Sequence, residues 1–335
     1  MGRKSVSIVF TICFLPFILA AFRPSSQKIE TKNDIRFIHN KEKGLWEDHP
    51  HLSLKLVRNV GGLDVTDEHQ IFSNLEGMAL DNDGCLYVSD SREAQIRKFD
   101  PENKFLIQIG GKGQGPGELM HISGFDLDKQ GLIYVNGQFK CKIFSPQGKE
   151  QKSITLPKYT LNGEIRVLTS GDIAVGGWIQ TAWPGEEFKD SFLIKIFDLE
   201  GKLQKHIGEI HDFGKPLLNS YGNRFYYDVD KSGNFVVSFI YQNRIEKYSH
   251  EGDLIWKADR ILPYTTNPLS EGLISSDEYG RGITPPDMNW VSFGIASDGK
   301  QRIWIITIED ELNKKNLEKD MYNSDMYKLE VFNPD

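Results

Sequence analysis

Residues 109–119 read IGGKGQGPGEL, five glycines with one lysine and a closing acid. Glycine amides and a lysine are the materials of a phosphate cradle, but their order does not suit one. A Walker loop runs G-x-x-x-x-G-K-[ST] into a helix whose N-terminus meets the phosphate. Here Lys112 precedes most of the glycines, no Ser or Thr follows it, Pro116 removes a backbone donor, and a strand pattern comes next. A dinucleotide fingerprint needs strand, glycines and helix in one βαβ unit, and no helix follows. The run is therefore expected to be a sharp connection between two strands, where Gly and Pro supply the turns.

The stretch DVDKSG (228–233) resembles the opening of a calcium loop, but Phe239 stands where the bidentate Glu is required. Asp230 also aligns with Asp81 and Asp128, which points to turn chemistry. Eight histidines occur (His39, His49, His51, His69, His121, His206, His211 and His250), and none forms a close ligand pair such as H-E-x-x-H. No G-x-S-x-G nucleophile elbow is present.

The elements that must carry these residues repeat. The first half of each unit is an apolar run, a polar turn and a β-branched or aromatic run: GMALDNDGCLYVSD, GFDLDKQGLIYVNG, RVLTSGDIAVGG, FYYDVDKSGNFVVSF and FGIASDGKQRIWIIT. Their turn glycines are Gly84, Gly131, Gly171, Gly233 and Gly299. Gly takes the positive-φ position of a hairpin turn without steric cost. The second half is a strand ending on an aromatic anchor (Phe99, Phe144, Phe197, Tyr248 or Phe332), a polar turn and a further strand. Four-stranded units, a–b–c–d, at this period predict a β-propeller. The last unit stops after its third strand. SLKLVRNVGG (53–62) reads as an orphan fourth strand that ends in glycine as LIQIG does. The expected fold is all-β: one β-propeller of four-stranded blades, five recognisable and six possible, closed by an N-terminal strand that completes the last blade and removes the exposed edges.

GCLYVSDSREAQIRKFD followed by IGGKGQGPGEL resembles the NHL-type repeat of exported bacterial six-bladed propellers. The resemblance covers roughly residues 50–335, is strongest in the first two units and weak in the third to fifth. It implies six blades where five units repeat. The ring has five blades, or residues 259–289 hide a degenerate one, or a final blade is absent from this chain. With four prolines and little alternation, 259–289 is expected to be a loop.

Composition bounds the rest. The chain has 335 residues, 39% apolar and 11% aromatic, enough for a large all-β core. A net charge of −7 without a basic block disfavours nucleic acid. MGRK followed by the apolar run 5–22 reads as an export signal cleaved near Ala21, with an uncleaved anchor as the alternative. Residues 1–22 are thus a signal peptide or membrane anchor, 23–50 a polar linker and 51–335 the propeller. The protein is expected to be periplasmic or extracellular, touching a membrane only through an uncleaved N-terminus, and monomeric. Cys85 and Cys141, the cysteines outside the signal, fall on different strand types and are expected to be buried free thiols.

Strand alternation places the a–b and c–d turns on one face and the b–c and d–a loops on the other. The long insertions (178–190, 209–223, 259–289 and 309–325) all fall on the second face, which marks it as the binding face. Asn74, His121, Asn223 and Trp290 lead into inner strands there, at the channel mouth. Arg92, Gln138, Trp178, Trp183 and Arg244 lie on its b–c loops. Polar groups with exposed Trp suit a peptide, glycan, small-molecule or protein partner. The expectation is a non-enzymatic exported binding protein or scaffold without a cofactor. The alternative, which the resemblance implies, is a metal-assisted lyase or hydrolase with calcium or zinc at the channel mouth. It needs three or more convergent ligands, and only His121 is placed to be one.

Overall fold

The computed structural model describes residues 27–40, 54–62, 65–137, 140–157, 163–179, 192–277, 280–321 and 323–333. The first described element is a hairpin, β1 (Gln27–Lys32) and β2 (Ile35–Asn40), turning through Asn33 and Asp34 at positive φ. The first blade is β3 (Leu75–Leu80), β4 (Leu86–Asp90), β5 (Gln95–Phe99) and β6 (Phe105–Gly110). The second is β7 (Gly124–Leu127), β8 (Ile133–Gly137), β9 (Lys140–Phe144) and β10 (Glu150–Thr155). The third is β11 (Glu164–Val167), β12 (Ile173–Gly176), β13 (Phe192–Phe197) and β14 (Leu203–Glu209). Helix α1 (Pro216–Gly222) leads to the fourth: β15 (Phe225–Val229), β16 (Phe235–Phe239), β17 (Ile245–Tyr248) and β18 (Leu254–Asp259). A separate hairpin, β19 (Leu273–Asp277) with β20 (Gly280–Thr284), precedes the fifth blade of β21 (Ser292–Ser297), β22 (Ile303–Ile308) and β23 (Tyr327–Phe332). The one-turn helix α2 (Leu317–Asp320) lies before β23. Each blade is an antiparallel sheet in chain order. The protein is an all-β propeller.

The turns behave as their chemistry requires. Gly84, Gly131, Gly171 and Gly233 adopt φ of 78, 79, 91 and 81°. The fifth unit differs, because Gln301 at φ 63° takes the left-handed position expected of Gly299. The anchors Phe99, Phe144, Phe197 and Tyr248 are buried.

The core is a series of seams between blades. Phe125 of the second blade packs among Tyr87, Ile96 and Ile109 of the first. Ile165 of the third meets Tyr134 and Cys141 of the second, and Tyr227 of the fourth meets Ala174 and Ile194 of the third. Ile295, Ile303 and Ile305 of the fifth meet Val236 and Trp256 of the fourth. Each large side chain so buried contributes about 1.5–3 kcal/mol. The equivalent of Phe125, Ile165 and Tyr227 in the first blade is Met78, which is 79% exposed. No comparable cluster joins the fifth blade to the first among the described residues.

Three expectations change. Residues 27–40, read as polar linker, form a hairpin whose β2 pairs in parallel with the outer strand β18, so the fourth sheet has six strands. Residues 259–289, expected to be a loop, hold a two-stranded hairpin. The segment 53–62 does not complete the last blade: among the described residues the fifth sheet has three strands, and residues 54–62 lie in no sheet. Arg58 instead donates to the Asp100 and Gly84 carbonyls, and Asn103 to the Asn59 carbonyl, which lays the segment against the outer turns of the first blade.

Candidate functional site

The glycine run is a blade joint that already holds an anion. β6 ends at Gly110, and Gly110 and Gly111 turn the chain at φ 78 and 136°. Glu118 folds back, so that its Oε2 accepts from Gly115 N–H at 2.7 Å and lies 2.0 Å from where a Cβ on Gly113 would stand. Any side chain at Gly113 would collide with it. The space a phosphate would need is filled by the chain's own carboxylate. Gly117 N–H is spent as well, donating to Glu150 Oε2 at 2.6 Å.

Asp230 is turn chemistry of the same kind. Its Oδ1 accepts from the backbone of Ser232 and Asn234, and Oδ2 pairs with Lys247 Nζ at 3.2 Å. Asp81 repeats this pattern with Asp83, Cys85 and Lys98. Among the described residues no group of three or more His, Cys, Asp or Glu is arranged to hold a metal ion.

Inner strands bring one charged network together. Arg166 on β11 donates to Glu164 Oε2 at 3.1 Å, Asp228 Oδ1 at 3.3 Å and the Tyr227 carbonyl, and its guanidinium lies over the Tyr227 ring. Asp126 Oδ2 accepts from Val167 N–H, and Asp228 Oδ2 from Ser297 N–H. The network thus spans the second to fifth blades. Burial raises the Asp126 and Glu164 carboxyls above their ordinary range, with Arg166 opposing. A cavity of about 510 Å³ opens beside it toward the short-turn face, reaching Thr169, Gln204 and His250. Arg166 is fully engaged, so this arrangement ties blades together.

A second cavity of about 510 Å³ opens on the loop-rich face of the fourth blade. Its walls are the N-terminal hairpin (Phe37, His39), the d–a loop before the blade (His211, Phe213), the b–c loop (Gln242–Arg244), the end of β18 and Thr266–Pro268. His39 Nδ1 meets Asp259 Oδ2 at 2.6 Å, which fastens the hairpin. Arg244 lies flat on Phe239, Cζ 3.9 Å from the ring centre, with its side chain 19% exposed. Its Nε is 3.4 Å from Glu246 Oε1, a buried carboxylate that Lys257 also meets at 2.8 Å. The Arg244 Nη2 is buried without a hydrogen-bond partner among the described residues.

The expected site residues separate. Arg244 lines this cavity. Trp178, 42% exposed, stacks on Arg224, which the sequence did not single out. Asn223 is fully buried and is a structural latch: its amide bridges the backbone of His211 and donates to the Asn219 carbonyl. Trp290 stacks on Phe293 and meets Tyr241 edge-on, so it pins its loop to the core. Asn74 ties a blade joint through Ser91 Oγ. Arg92 and His121 are exposed on the first and second blades respectively and do not line the cavity. Gln138 and Trp183 lie outside the described residues. Cys85 and Cys141 are buried and free.

A family described as a 6-bladed beta-propeller matches residues 65–158, the first two blades. No curated protein matches the chain. Among solved structures, the chain is similar to a candidate exported protein from Bacteroides fragilis, with a TM-score of 0.51 and 14% identity over 80% of this chain and 73% of that one. A member of the DUF4221 family from Bacteroides vulgatus gives 0.48 and 14%, over 79% of each chain. A virginiamycin B lyase from Staphylococcus aureus gives 0.41 and 11%, over 69% of this chain and 76% of that one. The likeness to the Bacteroides fragilis protein is one of fold.

Proposed function

We propose that this chain is an exported β-propeller binding protein that takes a ligand or protein partner on its loop-rich face, with the cavity beside Arg244 as the seat. One observation carries the reading. A guanidinium is held against Phe239 with its Nη2 buried and without a hydrogen-bond partner among the described residues, an arrangement that costs free energy. A ligand acceptor in the adjoining cavity would offset that cost. The cavity draws its walls from two of the long insertions, the b–c loop and the N-terminal hairpin, and a shared site accounts for their gathering on one face. Export is supported by the apolar run behind MGRK, by the NHL-type resemblance and by the description of the Bacteroides fragilis neighbour.

The test is a thermal-shift screen of the full chain against short peptides and oligosaccharides. A hit is expected whose stabilisation falls at least tenfold in apparent affinity in Arg244→Gln and is unchanged in Lys129→Ala on the short-turn face. Hits indifferent to Arg244→Gln would refute the cavity as the seat.

A further inference from the structure

We propose that the loop-rich face carries a second recognition site, for a carboxylate, centred on Arg224 where the third and fourth blades meet. Arg224 directly precedes the inner strand β15. Its Cζ lies 3.6 Å from the centre of the Trp178 ring and 3.8 Å from that of Tyr221. Two rings at those distances cannot share one face of a planar guanidinium, so the group is sandwiched between them. Trp178 comes from the b–c loop of the third blade, and Tyr221 from α1 in the insertion that follows it. Two independent segments therefore converge on one arginine.

The arginine has no charged partner among the described residues, only the phenols of Tyr221 and Tyr241. Its Nε is buried without a hydrogen-bond partner among the described residues, and burial lowers the guanidinium pKa. Arg166, by contrast, holds two carboxylates and two carbonyls. Aromatic faces return part of the desolvation cost of a cation, but a hydrogen-bonded counter-charge is still missing.

The geometry selects what can supply it. Rings cover both faces, so a ligand reaches Arg224 only edge-on, in the guanidinium plane. A carboxylate is planar and fits that slot as a two-pronged acceptor. A phosphate places oxygens above and below the plane, where the rings stand. The exposed Trp178 ring offers an apolar platform for the group that carries the acid. The site is independent of the Arg244 cavity: that arginine has one ring on one face and a buried Glu246 beside it.

The test is isothermal titration of the full chain. The probes are a tripeptide with a free C-terminal carboxylate, the same tripeptide amidated, a glucuronic-acid disaccharide, a neutral glucose disaccharide and inorganic phosphate. At least one acid is expected to bind saturably and its neutral analogue at least tenfold more weakly. Which acid binds tells a peptide terminus from a uronic acid. Arg224→Lys is expected to lose at least tenfold, because an ammonium neither forks nor stacks in this way. Trp178→Phe, which keeps a ring over the guanidinium, is expected to stay within threefold. Four outcomes would overturn the proposal: no saturable acid, neutral analogues that bind equally, phosphate that binds as tightly as the acids, or Arg224→Lys at wild-type affinity. Arg244→Gln serves as the cross-check. Loss there alone assigns the acid to the other cavity and refutes this site.

Discussion

Replacing Arg166 with Leu removes the one cation among Asp126, Glu164 and Asp228. Breaking a buried ion pair from one side costs about 3–5 kcal/mol. The side chains of Arg166, Glu164 and Asp228 are 24, 28 and 21% exposed, so water screens part of the loss and about 2–4 kcal/mol is the expected figure. At roughly 2 °C per kcal/mol for a domain of this size, the melting temperature should fall by about 4–8 °C near pH 7.5. The pH dependence gives the sharper signature. Asp126 and Glu164 have folded-state pKa values above their unfolded ones. Between the two values the folded state holds more protons than the unfolded state, so their contribution to stability falls as pH rises through that window. Without Arg166 the folded pKa values climb further and the window widens upward. The variant should therefore recover toward wild type between pH 7.5 and pH 5. Scanning calorimetry at several pH values reads both effects. A loss that does not shrink on acidification, or a melting temperature within 1 °C of wild type at pH 7.5, would show that Arg166 does not hold these carboxylates in place.

Three further outcomes are expected. Met78→Lys should change unfolding free energy in a denaturant titration by no more than about 0.5 kcal/mol, whereas Phe125→Lys, at the equivalent buried position, should leave no folded protein; equal costs would contradict an open first-blade face. Gly124→Ala should cost about 1–3 kcal/mol, since a Cβ there would stand 2.9 Å from the Glu164 backbone and force β7 from β11; a neutral variant would show that the blades have slack. The thiols should be silent to an aromatic disulfide reagent until the protein unfolds, because both are buried and burial pushes Cys141 up to about 12; prompt reaction in the native state would contradict that burial.

Repeats and faces were legible because each rests on a local signal repeated five times. A turn glycine between two strand patterns means the same thing in every blade, and insertions then sort by parity. Single elements fared worse. The hairpin 27–40 reads as polar, yet TKNDIRF carries the signal that places it: a two-residue Asn-Asp turn between alternating residues, both at positive φ. What sequence could not supply is its parallel docking on β18, a contact between segments more than two hundred residues apart. The site shows the same limit at the scale of one residue. The sequence points to Asn223 and not to Arg224, and the structure reverses their roles. Asn223 turns inward to the His211 backbone, while Arg224 meets the Trp178 ring. Register flips with each step along a strand, and the start of an inner strand is where sequence fixes it least.

The segment 54–62 sharpens this point, because it lies beside the first blade but pairs with no strand among the described residues. Gly61 and Gly62 have φ of 87 and 137°, nearly those of Gly110 and Gly111 at 78 and 136°. Asn103, in the outer turn of the first blade, donates to the Asn59 carbonyl. Gly148 lies against the Gln108 carbonyl, Gly201 against that of Thr155 and Gly252 against that of His206, in each case the outer strand of the blade before. Residues 54–60 thus occupy the outer-strand position of a blade preceding the first. Strand pairing is what they lack, and their apolar side chains record it: Leu54, Leu56 and Val57 are 80, 82 and 89% exposed. Met78 and Leu80 of the first blade and Ile306 and Leu329 of the fifth are exposed as well. Turn chemistry places a strand one residue at a time, but only a neighbouring strand completes it. A local sequence signal therefore marks this segment but does not supply the pairing that would make it a strand.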